Sequence, residues 1–256
     1  MLILLPPSEG KTTPRRGKPV DVEVGPLAEA RREVRDALVA LCRGPEDRAI
    51  GSLGLSPGQV EDVRSNARLA ELPSAPAERV YSGVLYDALG LTTLDASAHR
   101  RALARVAIIS SLYGVVRPGE RITAYRLGGA VNLPGLGVVA AHWRRHLDPV
   151  VREMAGTGLV VDLRSSTYAG FWRPSAELAR RVVTVRVLHE VGGRRQVVSH
   201  LNKATKGRLV RAVLEDGRDA RSPAAFATLL TDLGWQVEPG PVTKTGTQLD
   251  VVVSEL

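Results

Sequence analysis

Apolar positions along this chain fall into short runs and one-face repeats, never into a long uninterrupted stretch. Residues 1–5 form an apolar run stopped by Pro6 and Pro7, which predicts a buried strand entering a polar loop, Ser8-Glu9-Gly10-Lys11-Thr12. Leu27, Ala30, Val34, Leu38 and Leu41 recur at helical spacing with Arg31, Arg32 and Arg35 off that face, so residues 27–42 predict an amphipathic helix with a solvated basic side. Ser56-Pro57 supplies an N-cap and a first-position proline for a helix to about Leu72, closed by Pro73 and Pro76. A helix through Arg100–Arg105 then leads into a second buried strand, residues 106–109.

That strand runs into the stretch around which the chain is organised, residues 110–129, SSLYGVVRPGERITAYRLGG. Two hydroxyls, a Tyr-Gly pair and an Arg-Pro pair directly after a strand make a well-formed turn. In an open α/β sheet the same position also collects ligands, because crevices form outside the carboxyl ends of strands. The arrangement repeats at residues 159–163, a third buried strand ending in Arg164-Ser165-Ser166-Thr167-Tyr168.

The remaining pattern predicts a helix over residues 140–154, a hairpin of residues 182–188 and 196–198 about Gly192-Gly193, and an amphipathic helix carrying Leu209, Val210, Val213 and Leu214. Asn202 is expected to be that helix's N-cap, placing Lys203 and Lys206 in its first turn, beside backbone N–H groups that attract anions. A helix near residues 223–233 and strands near 235–237 and 249–253 complete the chain. With no repeat and no linker, the expectation is one mixed α/β domain over residues 1–256, its central mixed sheet flanked by helices.

Composition narrows the chemistry. Net charge is +8 with a pI near 10.1, a balance that steers phosphate-rich partners. Of the 35 basic residues 30 are Arg, and the five Lys, at positions 11, 18, 203, 206 and 244, survive that bias. A lone cysteine, Cys42, forms no internal disulfide or metal cluster. No run approaches the ~20 apolar residues of a membrane span, and no basic leader precedes the first apolar residues, so a cytoplasmic protein with no membrane association is expected.

Three local motifs are set aside. Gly10-Lys11-Thr12 resembles the end of a phosphate-binding loop, but Leu5 stands where that loop needs glycine. Gly135-Leu136-Gly137 with Ala141 partly spells a helix-hairpin-helix, yet residues 125–133 look like strand or loop and the first helix is missing. His142 and His146 lie one helical turn apart but bring no further ligand in sequence, so no metal and no cofactor is expected.

Four segments, PPSEGKT, the Y-x-G…SSLYGVVRP…YRL region, RSSTY and SHLNKATKG, resemble the peroxide-stress protein YaaA family, in order and across nearly the whole chain. The resemblance implies a mixed α/β fold of unusual topology and a cytoplasmic stress-response protein that binds DNA and limits iron-dependent oxidative damage to it. Residues matching the family pattern include Ser8, Lys11, Tyr81, Gly83, Ser111, Tyr113, Gly114, Arg117, Pro118, Tyr125, Arg126, Trp143, Ser165, Tyr168, Lys203, Lys206 and Gly207. Two positions where the family carries acids differ: Thr167 precedes Tyr168, and Gly128-Gly129 follows Leu127.

Ser8, Lys11, Tyr81, Ser111, Tyr113, Arg117, Tyr125, Arg126, Ser165, Ser166, Tyr168, Lys203 and Lys206 are therefore the candidate site: hydroxyls, phenols and cations with few carboxylates, suited to phosphate. DNA, held nonspecifically through its backbone, is the first expected partner. An enzyme acting on a nucleotide or other phosphorylated small molecule is the alternative, and a structural anion pocket without turnover is a third possibility.

Overall fold

A computed structural model describes residues 1–20, 24–192, 194–196 and 198–254. Its centre is a mixed sheet of eight strands flanked by helices, a mixed α/β fold as expected. Across the sheet the order is Gln236–Thr243, Gly246–Val253, Val182–Val191, Val160–Asp162, Leu2–Leu5, Val106–Ser110 and Gly114–Val116, with Arg194–Gln196 paired to the far end of Val182–Val191. The five strands from Gly246–Val253 to Val106–Ser110 run parallel, and the two edges are antiparallel.

Leu2–Leu5 lies in the middle because all four of its side chains are buried, as are all five residues of Val106–Ser110. Strands covered on both faces by helices read as continuous apolar runs, and burying each large aliphatic side chain contributes about 1.5–3 kcal/mol. Register then sets the site: Leu5 pairs with Ile108 and Leu4 with Asp162, so three consecutive strands end side by side, at Pro6, Ser110 and Leu163.

The Ala28–Cys42 helix buries Ala30, Val34, Leu38, Leu41 and Cys42, the face the periodicity predicted. Burial pushes the Cys42 thiol up to about 11, leaving it unreactive. Ser56 does open a helical segment, with a capping box to Gln59, but the expected single helix divides into a 3₁₀ turn, Pro57–Gln59, and Val60–Asn66. The chain turns at Asn66, whose buried amide donates to the Arg126 carbonyl at 2.7 Å and accepts the Arg126 N–H at 3.0 Å.

A second correction concerns the helix of Lys203 and Lys206. It begins at Ser199, and the Asn202 N–H already donates to the Val198 carbonyl at 2.8 Å, so Asn202 is helical rather than the cap. Lys203 and Lys206 thus lie beyond the first turn, away from the free N–H groups expected to accompany them. Gly207 faces another backbone: a Cβ there would meet the Leu85 carbonyl and lie 2.9 Å from the Ala88 Cβ. Glycine is what lets Ser199–Asp216 and Val84–Leu89 pack backbone to backbone.

The expected hairpin of residues 182–198 is present with a longer first strand, Val182–Val191, and a short return, Arg194–Gln196; Gly193 and Val197 lie outside the described residues. The Gly135-Leu136-Gly137 segment belongs to a small hairpin of Asn132–Leu133 and Gly137–Val138 that leads into the Val139–Ala155 helix. Among the described residues no helix is long and apolar enough to cross a membrane.

Candidate functional site at the strand ends

The polar loop after Leu2–Leu5 folds back on itself. Ser8 donates to the Gly10 carbonyl and Lys11 Nζ to the Ser8 carbonyl at 2.8 Å, while Lys11 makes an isolated bridge with Tyr81. The ammonium sits 4.2 Å from the Tyr125 ring centre and 5.6 Å from that of Tyr81, held by cation–π attraction. Its surroundings oppose its charge. Burial and then the neighbouring Arg126 lower the Lys11 amine to about 7, with Glu9 and Asp62 acting in the other direction.

Arg126 reaches the same loop from the far side. Its Nη1 donates to the Glu9 carbonyl at 3.1 Å, and Lys11 Nζ approaches that carbonyl at 3.4 Å. The Glu9 carboxylate, largely exposed, stands 3.7 Å from Arg126.

Beneath these cations runs a buried phenol network. The Tyr125 hydroxyl lies 3.1 Å from the Tyr81 hydroxyl and 2.8 Å from Ser110 Oγ, which also accepts the Tyr113 N–H at 3.0 Å. Burial raises the phenols of Tyr81, Tyr86 and Tyr125 above their ordinary value and pushes Tyr113 up to about 12. At neutral pH they are hydrogen-bonding groups and not bases. Tyr168 closes the cluster: its hydroxyl is 3.5 Å from Ser111 Oγ, and it feels the charges of Glu9 and Arg126.

The third strand end is built differently. Arg164 is buried and donates from Nε and Nη2 to both oxygens of Asp162, at 2.8 and 2.7 Å, and from Nη1 to the Tyr168 and Trp172 carbonyls. Burial alone would favour the neutral acid, but Arg164 outweighs it and holds Asp162 below the usual carboxylate range. Lys206 Nζ donates to the Leu163 carbonyl at 3.1 Å beside this pair. Its burial lowers the amine against the opposing pull of Asp162. Ser165 and Ser166 are exposed at the same end, and Lys203 is exposed a turn earlier on its helix.

Ser8, Lys11, Tyr81, Ser111, Tyr125, Arg126 and Tyr168 thus form one contiguous group, with Ser165, Ser166 and Lys206 at the adjoining strand end. Three candidates stand apart, and Lys203 is one, exposed on its helix. Arg117 donates to the Ala104 and Val106 carbonyls, at the opposite end of the central strand. The Tyr113 hydroxyl accepts the Thr123 N–H at 3.1 Å, and Tyr113 lines a separate cleft of about 290 Å³ with Arg31 and Arg121. The flanking glycines are shaped by packing: a Cβ on Gly114 would lie 2.6 Å from the Trp143 ring, and one on Gly129 2.7 Å from Phe171.

Asp162, Asn66 and Glu9 support the site without having stood out in sequence. Asp162 was hidden in an apolar strand and Asn66 inside a predicted helix; Arg164 two residues after Asp162 was the available signal for the pair.

Comparison with known proteins identifies the family. A family model described as Peroxide stress protein YaaA matches residues 1–239. A UPF0246 protein of Streptomyces coelicolor is 48% identical over 261 residues, covering 100% of both chains. One from Corynebacterium efficiens is 40% identical, covering 93% of this chain and 95% of its own. One from Corynebacterium glutamicum strain R is 37% identical, with 94% and 96% covered. The family match over residues 1–239, together with the 48% identity to the Streptomyces coelicolor protein over the full length of both chains, leads to one conclusion: the chain belongs to the peroxide stress protein YaaA family.

Proposed function

We propose that this protein acts in the peroxide-stress response by holding DNA phosphates at the strand-end site. The observation that carries the proposal is the meeting of Lys11 and Arg126 on one carbonyl, that of Glu9. Two cations placed together repel, and Arg126 contributes to the lowered Lys11 amine. An anion between them would relieve that repulsion, and Tyr168, partly exposed beside them and accepting from Ser111, has its own hydroxyl proton to donate. Duplex phosphates also keep a condensed atmosphere of cations, and a protein that neutralises phosphates releases them. Displacing iron from that atmosphere gives a physical route to limiting iron-dependent damage.

Fluorescence anisotropy of a labelled duplex across a salt series tests this. Affinity is expected to fall with salt at a log–log slope of roughly −0.9 per neutralised phosphate. Absent binding at low salt, or binding indifferent to salt, contradicts it.

A second function is favoured by one specific feature, the Lys11 amine near 7. An amine half neutral at physiological pH suits a general base or nucleophile acting on a phosphorylated small molecule or nucleotide. Lys11→Arg separates the two, because it retains the cation for DNA and removes a titratable amine.

A further inference from the structure

Away from the strand ends, the helices Ala28–Cys42 and Val139–Ala155 bring three ligand-type side chains together. Glu33 comes from the first, and His142 and His146 from successive turns of the second, with one donor atom from each inside a 4.8 Å span. The two imidazoles are 4.9 Å apart, centre to centre. His142 is buried, and its Nε2 lies 3.2 Å from the Ala30 carbonyl. Because a carbonyl only accepts, that contact assigns the N–H to Nε2 and leaves a lone pair on Nδ1.

His142 Nδ1 is buried without a hydrogen-bond partner among the described residues, and the Oε2 of Glu33 is 3.6 Å away. A lone pair facing an acceptor-only carboxylate inside the protein is unfavourable unless something positive lies between them. We propose that Glu33, His142 and His146 form a site for a divalent first-row transition-metal ion of the zinc class. The chain supplies two nitrogens and one oxygen, leaving a fourth position open to water.

The Nε2–H to Ala30 contact is the outer-shell bond that orients a metal-ligating imidazole and fixes its tautomer. His142 is the anchored ligand, while Glu33 is half exposed and His146 partly buried, so a change of rotamer at these two can draw donor atoms now within 4.8 Å of one another to the roughly 3.4 Å separation that bonds near 2.0–2.1 Å require. Arg145 is the neighbouring cation and weakens the site without occupying it. Sequence alone showed only the histidine pair; the third ligand comes from a helix more than a hundred residues earlier and was visible only as one of that helix's solvated charges.

The test uses the untagged full-length protein, stripped with a chelator and titrated with Co²⁺ followed visibly, then with competing Zn²⁺. The expected result is about one ion per chain, a tetrahedral Co²⁺ spectrum displaced by Zn²⁺, and affinity reduced at least about tenfold by Glu33→Gln or His146→Ala. Both variants alter side chains outside the core, so folding is retained, and His200→Ala, at an exposed histidine, should leave the affinity unchanged. No Co²⁺ spectrum, or an affinity indifferent to Glu33→Gln and His146→Ala, would overturn the proposal.

Discussion

Lys11 and Arg126 direct two cationic groups at one acceptor, the Glu9 carbonyl, at 3.4 and 3.1 Å. Their proximity is enforced from below, since Lys11 rests on the Tyr125 ring and the backbone of Arg126 is clamped by the Asn66 amide. Like charges held this closely in a folded chain are ordinarily selected against unless a ligand shares them.

The first expected outcome is a lysine that titrates near neutrality. With five lysines in the chain, reductive ¹³C-methylation and NMR should show one resonance with a midpoint of about 7, absent in Lys11→Met. The folded amine is lowered from an unfolded value near 10.4, so the unfolded chain binds more protons between pH 7 and 10.4 and Lys11 destabilises the fold at and below pH 7. Lys11→Met should therefore gain most in stability at pH 7 or below. Its advantage should shrink as pH rises towards 10. Denaturant melts of both proteins at pH 6, 8 and 10 check the sign.

The phenol network should behave as a unit. Tyr125→Phe removes the hydroxyl between Tyr81 and Ser110, leaving a buried group short of a partner at a cost of about 1–3 kcal/mol. Tyr81→Phe should cost less once Tyr125 is already Phe, because the shared bond is gone. A double-mutant cycle in urea measures the coupling, and strict additivity would show that the two hydroxyls do not interact.

Breaking the buried pair at the third strand end should be more damaging. Asp162→Asn leaves the Arg164 guanidinium buried without its carboxylate, costing about 3–5 kcal/mol. Because the folded Asp162 titrates below its unfolded value near 3.9, its contribution is present above pH 4 and lost as pH falls through the folded value. The gap between wild type and Asp162→Asn should accordingly be constant from pH 5 to 7 and narrow in acid, as read from urea midpoints.

How far this was legible in the sequence depends on whether a residue's partner is local. Residues 2–5 and 106–109 are apolar on both faces, and the helix of Ala30, Val34 and Leu38 shows its period directly, so the strand ends and their polar loops could be placed from the chain alone. Arg117 could not, since an arginine after a strand reads the same whether it faces a ligand or turns back to the Ala104 carbonyl. Asn202 has the composition of a cap, yet the Val198 carbonyl captures its N–H and starts the helix earlier, a choice made by packing. Glu33 carried no signal, because a carboxylate on a solvated face acquires meaning only when another helix brings histidines to it.

The most direct measurement is the protection of Lys11 by DNA. Amine-reactive labelling at pH 7, read by mass spectrometry with and without a short duplex at low salt, reports on that one side chain. Bound phosphate favours the charged amine and covers it, so the labelling rate at Lys11 should drop several-fold, its midpoint should rise above 7, and both effects should vanish in Arg126→Glu. Duplex binding that leaves Lys11 labelling unchanged would place the DNA elsewhere on the protein and contradict the account.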